Sequence, residues 1–134
     1  MTKSKTAYFY ALGRRRAAVV TVKLFPEPGP STVNGLALDK YFPAKYFADI
    51  YQAPLTLTKN QKKFHFQAKA VGGGKNGQAV ALSLALARAL IVFDPELKKL
   101  LRPAGLVTVD ARVRQRRMVG TGGKARRKKQ SPKR

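Results

Sequence analysis

From Gln78 to Phe93 the chain is apolar on nearly every side of a helix, with only Gln78, Ser83 and Arg88 breaking the pattern. A helix of this kind must be buried over most of its surface. The run falls short of the roughly 18 continuous apolar residues that a membrane span needs, and no other window reaches that length. The segment therefore reads as the core helix of a folded domain, and the rest of the chain has to supply its cover. Hydrophobic residues make up 44% of the 134-residue chain and lie almost wholly before residue 112. That is enough for one modest core of about 100 residues.

Strand-like runs supply the cover. Ala7–Leu12 and Ala17–Phe25 are joined through Gly13-Arg14-Arg15-Arg16. In the second run Val20, Val22 and Leu24 alternate with Val19, Thr21 and Lys23, the period-2 pattern of a half-buried strand. Pro26-Glu27-Pro28-Gly29-Pro30 cannot continue a ladder and reads as a turn. Ser31–Asn34 is a short strand closed by Asn34-Gly35, a turn dipeptide. Leu36–Gln52 reads as helix in two pieces broken at Pro43, with its aromatics Tyr41, Phe42, Tyr46, Phe47 and Tyr51 assigned to the core. Leu55–Thr58 and Phe64–Val71 read as strands around a polar turn carrying Lys59, Lys62 and Lys63. After the core helix, Asp94-Pro95 suits the start of a short helix over Glu96–Leu101, and Leu106–Asp110 reads as a last strand. The order β-β-β-α-β-β-α-α-β predicts an α+β fold, a mostly antiparallel sheet with helices packed on one face.

Charge divides the chain. It has 28 Lys or Arg against 6 Asp or Glu, a formal charge of +22. Residues 112–134 hold 11 of the basic residues and no acid, so they carry half of the net charge in about a fifth of the length. With Met118 and Val119 as the sizeable apolar residues after Val113, this block cannot build a core. Like charges extend such a segment until a polyanion neutralises it. The predicted organisation is a basic arm at 1–6, a globular domain at 7–111 and an extended basic tail at 112–134. The arm is loosely like a transit peptide, but the β-rich run begins by about Ala7, so an uncleaved arm is the expectation. With no cysteine in the chain, disulfides and Cys-based zinc sites are excluded.

Gly72-x-Gly74-x-x-Gly77 fits a dinucleotide fingerprint in letters, lying between a strand and a helix. Asp94 and Glu96 stand near the distance where a ribose-binding acid is sought, but here they open a helix behind a proline. Too few parallel strands remain for that fold. A phosphate-loop reading fails because Gln78-Ala79 occupies the Lys and Ser/Thr positions. What survives is a glycine turn at a helix start, suited to an RNA phosphate, with Lys75 adding charge. Arg14, Arg15 and Arg16 point to different sides of a loop and find few acids to pair with, so phosphate contact is the expectation. His65 has no Cys or acid beside it and makes neither a metal site nor a catalytic pair. The six acids show no acid/base spacing. No enzyme, metal, cofactor or small-molecule substrate is expected.

Several blocks in order resemble a known family. They are Gly13-Arg14-Arg15-Arg16-Ala17-Ala18-Val19; Val33-Asn34-Gly35 followed by Tyr41-Phe42; Val71-Gly72-Gly73-Gly74-x-x-Gly77-Gln78-Ala79 with Ala87-Arg88-Ala89-Leu90; Leu101-Arg102-x-Ala104-Gly105-Leu106; and Asp110-Ala111-Arg112, then Gly120, Lys124-Ala125-Arg126-Arg127 and Lys133-Arg134. Together they are similar to the family of the ninth protein of the small ribosomal subunit, over almost the entire chain. The resemblance implies a fold like the second domain of the fifth small-subunit protein, with a left-handed crossover. It implies a cytoplasmic structural constituent of the small subunit, bound to rRNA in the head beside neighbouring head proteins, with no membrane partner. Taken with the charge and loop readings above, the residues expected on rRNA are Arg14, Arg15, Arg16, Gly73, Gly74 and Lys75 in the body. In the tail they are Arg112, Arg116, Arg117, Lys124, Arg126 and Arg127. The tail tip, Lys133 and Arg134, falls where the family approaches the anticodon stem of the P-site tRNA. The chain departs from the family pattern at Gln115, at an extra residue in Thr121-Gly122-Gly123, and at Ser131-Pro132. From Gly120 to Arg134 an extended tail reaches roughly 50 Å.

Overall fold

The computed structural model describes residues 7–122. Strands β1 (Phe9–Arg15), β2 (Ala18–Phe25) and β5 (His65–Val71) form the body of a five-stranded sheet. The short strands β3 (Thr32–Val33) and β4 (Leu36–Ala37) complete it in the order β1-β2-β5-β3-β4. β1–β2, β2–β5 and β3–β4 are antiparallel, and β3–β5 is parallel. The fold is thus α+β with a mixed, mostly antiparallel sheet. β3 and β4 are joined by Asn34-Gly35, both at positive φ (52° and 80°). That is the backbone a two-residue hairpin needs to match strand twist.

Burial alternates along the long strands. Ala18, Val20, Val22 and Leu24 on β2, and Phe66, Ala68 and Ala70 on β5, are buried beneath the helices. Helix α4 (Lys75–Phe93) packs across this face. By length and composition α4 could cross a membrane, but eleven of its nineteen residues are buried inside the fold, as a core helix requires. It crosses β1 at Gly13, where an added Cβ would lie 1.9 Å from the Ala81 carbonyl oxygen and 2.7 Å from the Ala85 nitrogen. Glycine is needed there because helix and strand backbones touch. Arg88, on the same helix, donates from Nη1 to the Leu12 carbonyl at 2.8 Å.

The β3–β5 pairing is only two residues long, yet side chains finish the ladder. Ser31 Oγ accepts from the Phe66 N–H at 3.2 Å. Asn34 donates its backbone N–H to the Ala68 carbonyl at 2.9 Å. Its side-chain amide accepts from the Ala70 N–H at 2.9 Å and donates to the Ala70 carbonyl at 3.0 Å. A side-chain amide has the same donor and acceptor as a peptide group, so Asn34 stands in for one more strand residue.

Three expectations are corrected. Leu36 and Ala37 do not open the helix but pair with β3 as β4, and α1 starts at Leu38. Leu55–Thr58 is not a strand. It lies in helix α3 (Ala53–Leu57) and its C-cap, which follows α1 (Leu38–Tyr41) and α2 (Lys45–Tyr51) with the predicted break at Pro43. Leu-Thr-Leu-Thr alternates in letters, but Tyr51, Pro54 and Leu55 are buried, at helical spacing, while Leu57 is 41% exposed. Pro54 suits the first helical turn. Lys59, Lys62 and Lys63 therefore sit on a helix-to-strand connection, not on a hairpin tip. Nor is Leu106–Asp110 a strand. It follows a 3-10 turn (Pro95–Leu97) and α5 (Lys98–Leu101) without ladder pairing. Neighbours Leu106 and Val107 both pack partly on the core, and that breaks the alternation a strand would need. Asp94 caps the 3-10 turn as expected, accepting from the Glu96 N–H at 3.1 Å.

Candidate nucleic-acid interface

Strand alternation separates the three arginines. Arg14 is exposed on the side of the sheet away from α4. Arg15 turns back to the helix side and is 16% exposed at its side chain. Arg16, at φ 55°, makes the turn and is exposed. Arg15 is partly used within the molecule. Its Nη1 donates to the Arg112 carbonyl at 2.8 Å, and its Nη2 lies 3.6 Å from Asp110 Oδ2. Arg112 in turn donates from Nε and Nη2 to the two Asp110 oxygens at 2.9 and 2.8 Å. These hydrogen bonds hold the Asp110 carboxyl well below the usual carboxylate range, with a small contribution from Arg15. The root of the tail is fastened to the β1–β2 turn.

The glycine loop lies against the same turn. Gly72 and Gly73 have φ of 75° and 62°, and a Cβ at Gly72 would stand 2.4 Å from the Ala17 carbonyl oxygen. Both are explained by the close stacking of loop on turn. Gly74 is different. Its φ is −106°, and a Cβ there would meet nothing within 4 Å. It is the N-cap of α4, offers no side-chain cap, and borders a groove of about 540 Å³ with Arg16, Tyr46, Gly73, Asn76 and Gly77. Tyr46 is 61% exposed on its rim. An open basic cleft of about 640 Å³ adjoins the groove at Arg15 and Arg16 and continues along Arg112, Arg114 and Arg117. Among the described residues no acid lines either concavity.

This arrangement can bind an extended polyanion. Guanidinium groups and uncapped helix N–H groups supply donors to phosphates, and the unfilled space over Gly74 lets a backbone come close.

A model of the ribosomal protein S9/S16 family matches residues 13–134. The chain belongs to that family. It is 43% identical over its full length to the small ribosomal subunit protein uS9 of Ureaplasma parvum, and covers all of that protein. It is 47% identical over 114 residues to the corresponding protein of Maridesulfovibrio salexigens, covering 85% of this chain and 88% of the relative. The relative from Sulfurimonas denitrificans is 43% identical over 126 residues, covering 93% and 97%. As an S9/S16 family member the chain is a ribosomal protein and not an enzyme.

Within this S9/S16 protein the sequence-derived positions do not all converge. Arg16, Gly73 and Gly74 meet at the groove, and Arg15, Arg112 and Arg117 at the cleft. Arg14 and Lys75 are exposed but aimed elsewhere. Lys75 Nζ lies 3.2 Å from the Tyr41 ring centroid, a cation–π contact on the flank of the glycine loop. Arg116 lies on the exposed tail root beside Arg114 and Met118. Lys124, Arg126, Arg127, Lys133 and Arg134 lie outside the described residues.

Sequence reasoning missed what holds the glycine loop. Asn34 Nδ2 reaches the Tyr41 hydroxyl at 3.4 Å, that hydroxyl donates to Gln78 Oε1 at 2.5 Å, and Gln78 Nε2 donates to the Gly72 carbonyl at 2.9 Å. The visible signal was Gln78, a polar residue on an apolar helix: a buried amide has to find partners. Tyr41, Phe42 and Tyr51 are core as expected, whereas Tyr46 is not. His65 is structural in its surroundings, stacked on Phe25 with ring centroids 4.9 Å apart and Nδ1 2.7 Å from the Glu27 carbonyl.

Proposed function

We propose that this structural constituent of the small ribosomal subunit binds small-subunit rRNA in the head through its arginine turn, glycine loop and tail root, and extends its tail to the P-site tRNA. Residues 7–111 are the anchoring body and 112–134 the tail. The observation that carries this reading is the convergence of two acid-free basic concavities on Arg15 and Arg16. Asp110, the acid paired with Arg15, is also held by Arg112. Phosphates are the chemistry that satisfies what remains. The body then delivers a segment that carries +11 toward a second RNA. Lys and Arg without aromatics in the tail fit phosphate contact rather than base reading. Ribosomal head proteins beside it and a cytoplasmic setting belong to the same reading.

Small subunits reconstituted with the full chain and with a chain lacking Lys133-Arg134 test the tail. The truncated chain should assemble normally and weaken P-site tRNA binding. Unchanged tRNA affinity would refute the tail's role. Arg16→Glu should instead impair assembly itself, because it reverses charge where the groove and cleft meet.

A further inference from the structure

The sheet has a second face. Between the buried positions of β1, β2 and β5 stand Tyr10, Leu12 and Arg14, then Val19, Thr21 and Lys23, then Gln67, Lys69 and Val71, all on the side away from α4. The register sets them in three rows: Tyr10–Lys23–Gln67, Leu12–Thr21–Lys69 and Arg14–Val19–Val71. Tyr10 is 54% exposed and Val71 56%. Arg14, Lys23, Gln67 and Lys69 are exposed, and the remaining three are half-buried.

Two properties of this face need an explanation. It carries three cations and no acid; Glu27, the nearest acid along the chain, lies past the end of β2 in the proline loop. Lys23 and Lys69 are diagonal neighbours on adjacent strands, a spacing of roughly 7–8 Å at which like charges repel. Each row also sets apolar or aromatic side chains beside its cation, Tyr10, Leu12, Val19 and Val71 among them, which a face kept only for solvation would avoid. At the β5 start the face ends in an aromatic group, with Phe25 stacked on His65 and Tyr8 5.8 Å from Phe25. Lys23 Nζ lies 5.2 Å from the Tyr8 ring.

Cations without counter-charge, interspersed with apolar and aromatic side chains, complement a nucleic acid strand: phosphates take the charges, while riboses and bases take the flat side chains between them. We propose that the open face of β1, β2 and β5 is a second RNA-binding surface, with Lys23 and Lys69 on phosphates and Tyr10 stacked on an unpaired base. It lies across the sheet from α4, and Arg14 joins it to the arginine turn at one edge. The inference rests on the reading of the chain as an rRNA-binding protein and adds a surface that the groove and cleft do not include.

The chain has no cysteine, so a single introduced thiol is unique. Gln67→Cys places a tethered iron–EDTA probe at the centre of the open face, and Asn76→Cys places one at the groove. Each full-length chain is derivatised before reconstitution into small subunits, and hydroxyl-radical scission of the rRNA is mapped. Scission from both probes, at different rRNA positions, is the expected result. Scission from the Asn76 probe without any from the Gln67 probe would overturn the second surface and leave the groove reading standing. Silence from both would sink the two together. Iron at position 67 that cuts only polypeptide would assign the face to a protein neighbour and also overturn the proposal. In parallel, Lys23→Gln with Lys69→Gln should reduce the slope of log affinity against log salt by roughly 1–2. Tyr10→Ser should cost about tenfold in rRNA affinity, while Tyr10→Phe keeps it.

Discussion

Gly13 and Gly74 are both glycine for reasons that one substitution can separate. At Gly13 an alanine Cβ would stand 1.9 Å from the Ala81 carbonyl oxygen, where ordinary contact begins near 3.4 Å. Strand β1 and helix α4 would have to part by about 1.5 Å. The obstruction is backbone in a regular helix, so no side chain can swing aside to relieve it. Overpacking of this kind costs typically 1–3 kcal/mol, and a backbone clash belongs at the upper end. Gly13→Ala is therefore expected to lose about 3 kcal/mol, a large share of a small domain's roughly 5–15 kcal/mol. At Gly74 the added methyl meets nothing within 4 Å and φ is ordinary, so Gly74→Ala should change stability by less than about 0.5 kcal/mol. Urea unfolding followed by circular dichroism measures both. Binding to small-subunit rRNA should then reverse the order when compared under conditions where both chains are folded. Gly74→Ala, which fills the space at the groove, should weaken binding, while Gly13→Ala should leave intrinsic affinity alone. A stable Gly13→Ala chain would refute the claim of direct strand–helix contact. Unimpaired binding by Gly74→Ala would refute the claim that its empty space is kept for a ligand.

Other substitutions follow from the same geometry. Leu86, fully buried on α4, should cost about 2–5 kcal/mol when cut to alanine, read from the denaturation midpoint. Asn34→Ala removes two hydrogen bonds to Ala70 and puts alanine at φ 52°; a loss of about 2 kcal/mol is expected, with faster amide exchange at Ala70 and in the glycine loop. Asp110 has a depressed carboxyl pKa, so its fastening of the tail root is present above the unfolded value near 4 and is lost only as pH falls through the lower folded value. Amide shifts of Asp110 and Arg112 should show no inflection attributable to this carboxyl between pH 5 and 8. Asp110→Asn should shift the same signals at every pH.

The sheet was readable because β2 and β5 alternate cleanly and α4 is apolar on all sides, both strong periodic signals. The Asn34-Gly35 turn and the break at Pro43 were readable from backbone chemistry alone, but β4 after that turn was not, because Leu36 and Ala37 run straight into the helical pattern. α3 was not, because Leu-Thr-Leu-Thr satisfies a two-residue period over a length too short to exclude the helical one. At Leu106–Asp110 the letters alternate but the burial does not, and only packing decides that. For the site, the arginine turn and glycine loop were visible as motifs, and their adjacency was not. It depends on Gly72 stacking on Ala17, a contact between residues far apart in the chain. Lys75 looked like part of the phosphate site by position, while the aromatic pair Tyr41 and Phe42 draws its ammonium aside.

The Ser31 and Asn34 side chains have a consequence for the life of the protein before assembly. A seven-residue strand such as β5, left unpaired, would offer another copy a row of free N–H and C=O groups. Here two residues of β3 and two side chains occupy the Phe66, Gln67, Ala68 and Ala70 stretch of that edge, without the length of a full strand. The hairpin's other strand, β4, is itself too short to act as a template. A freshly made copy of this ribosomal protein can thus accumulate before assembly without that edge seeding cross-strand polymers.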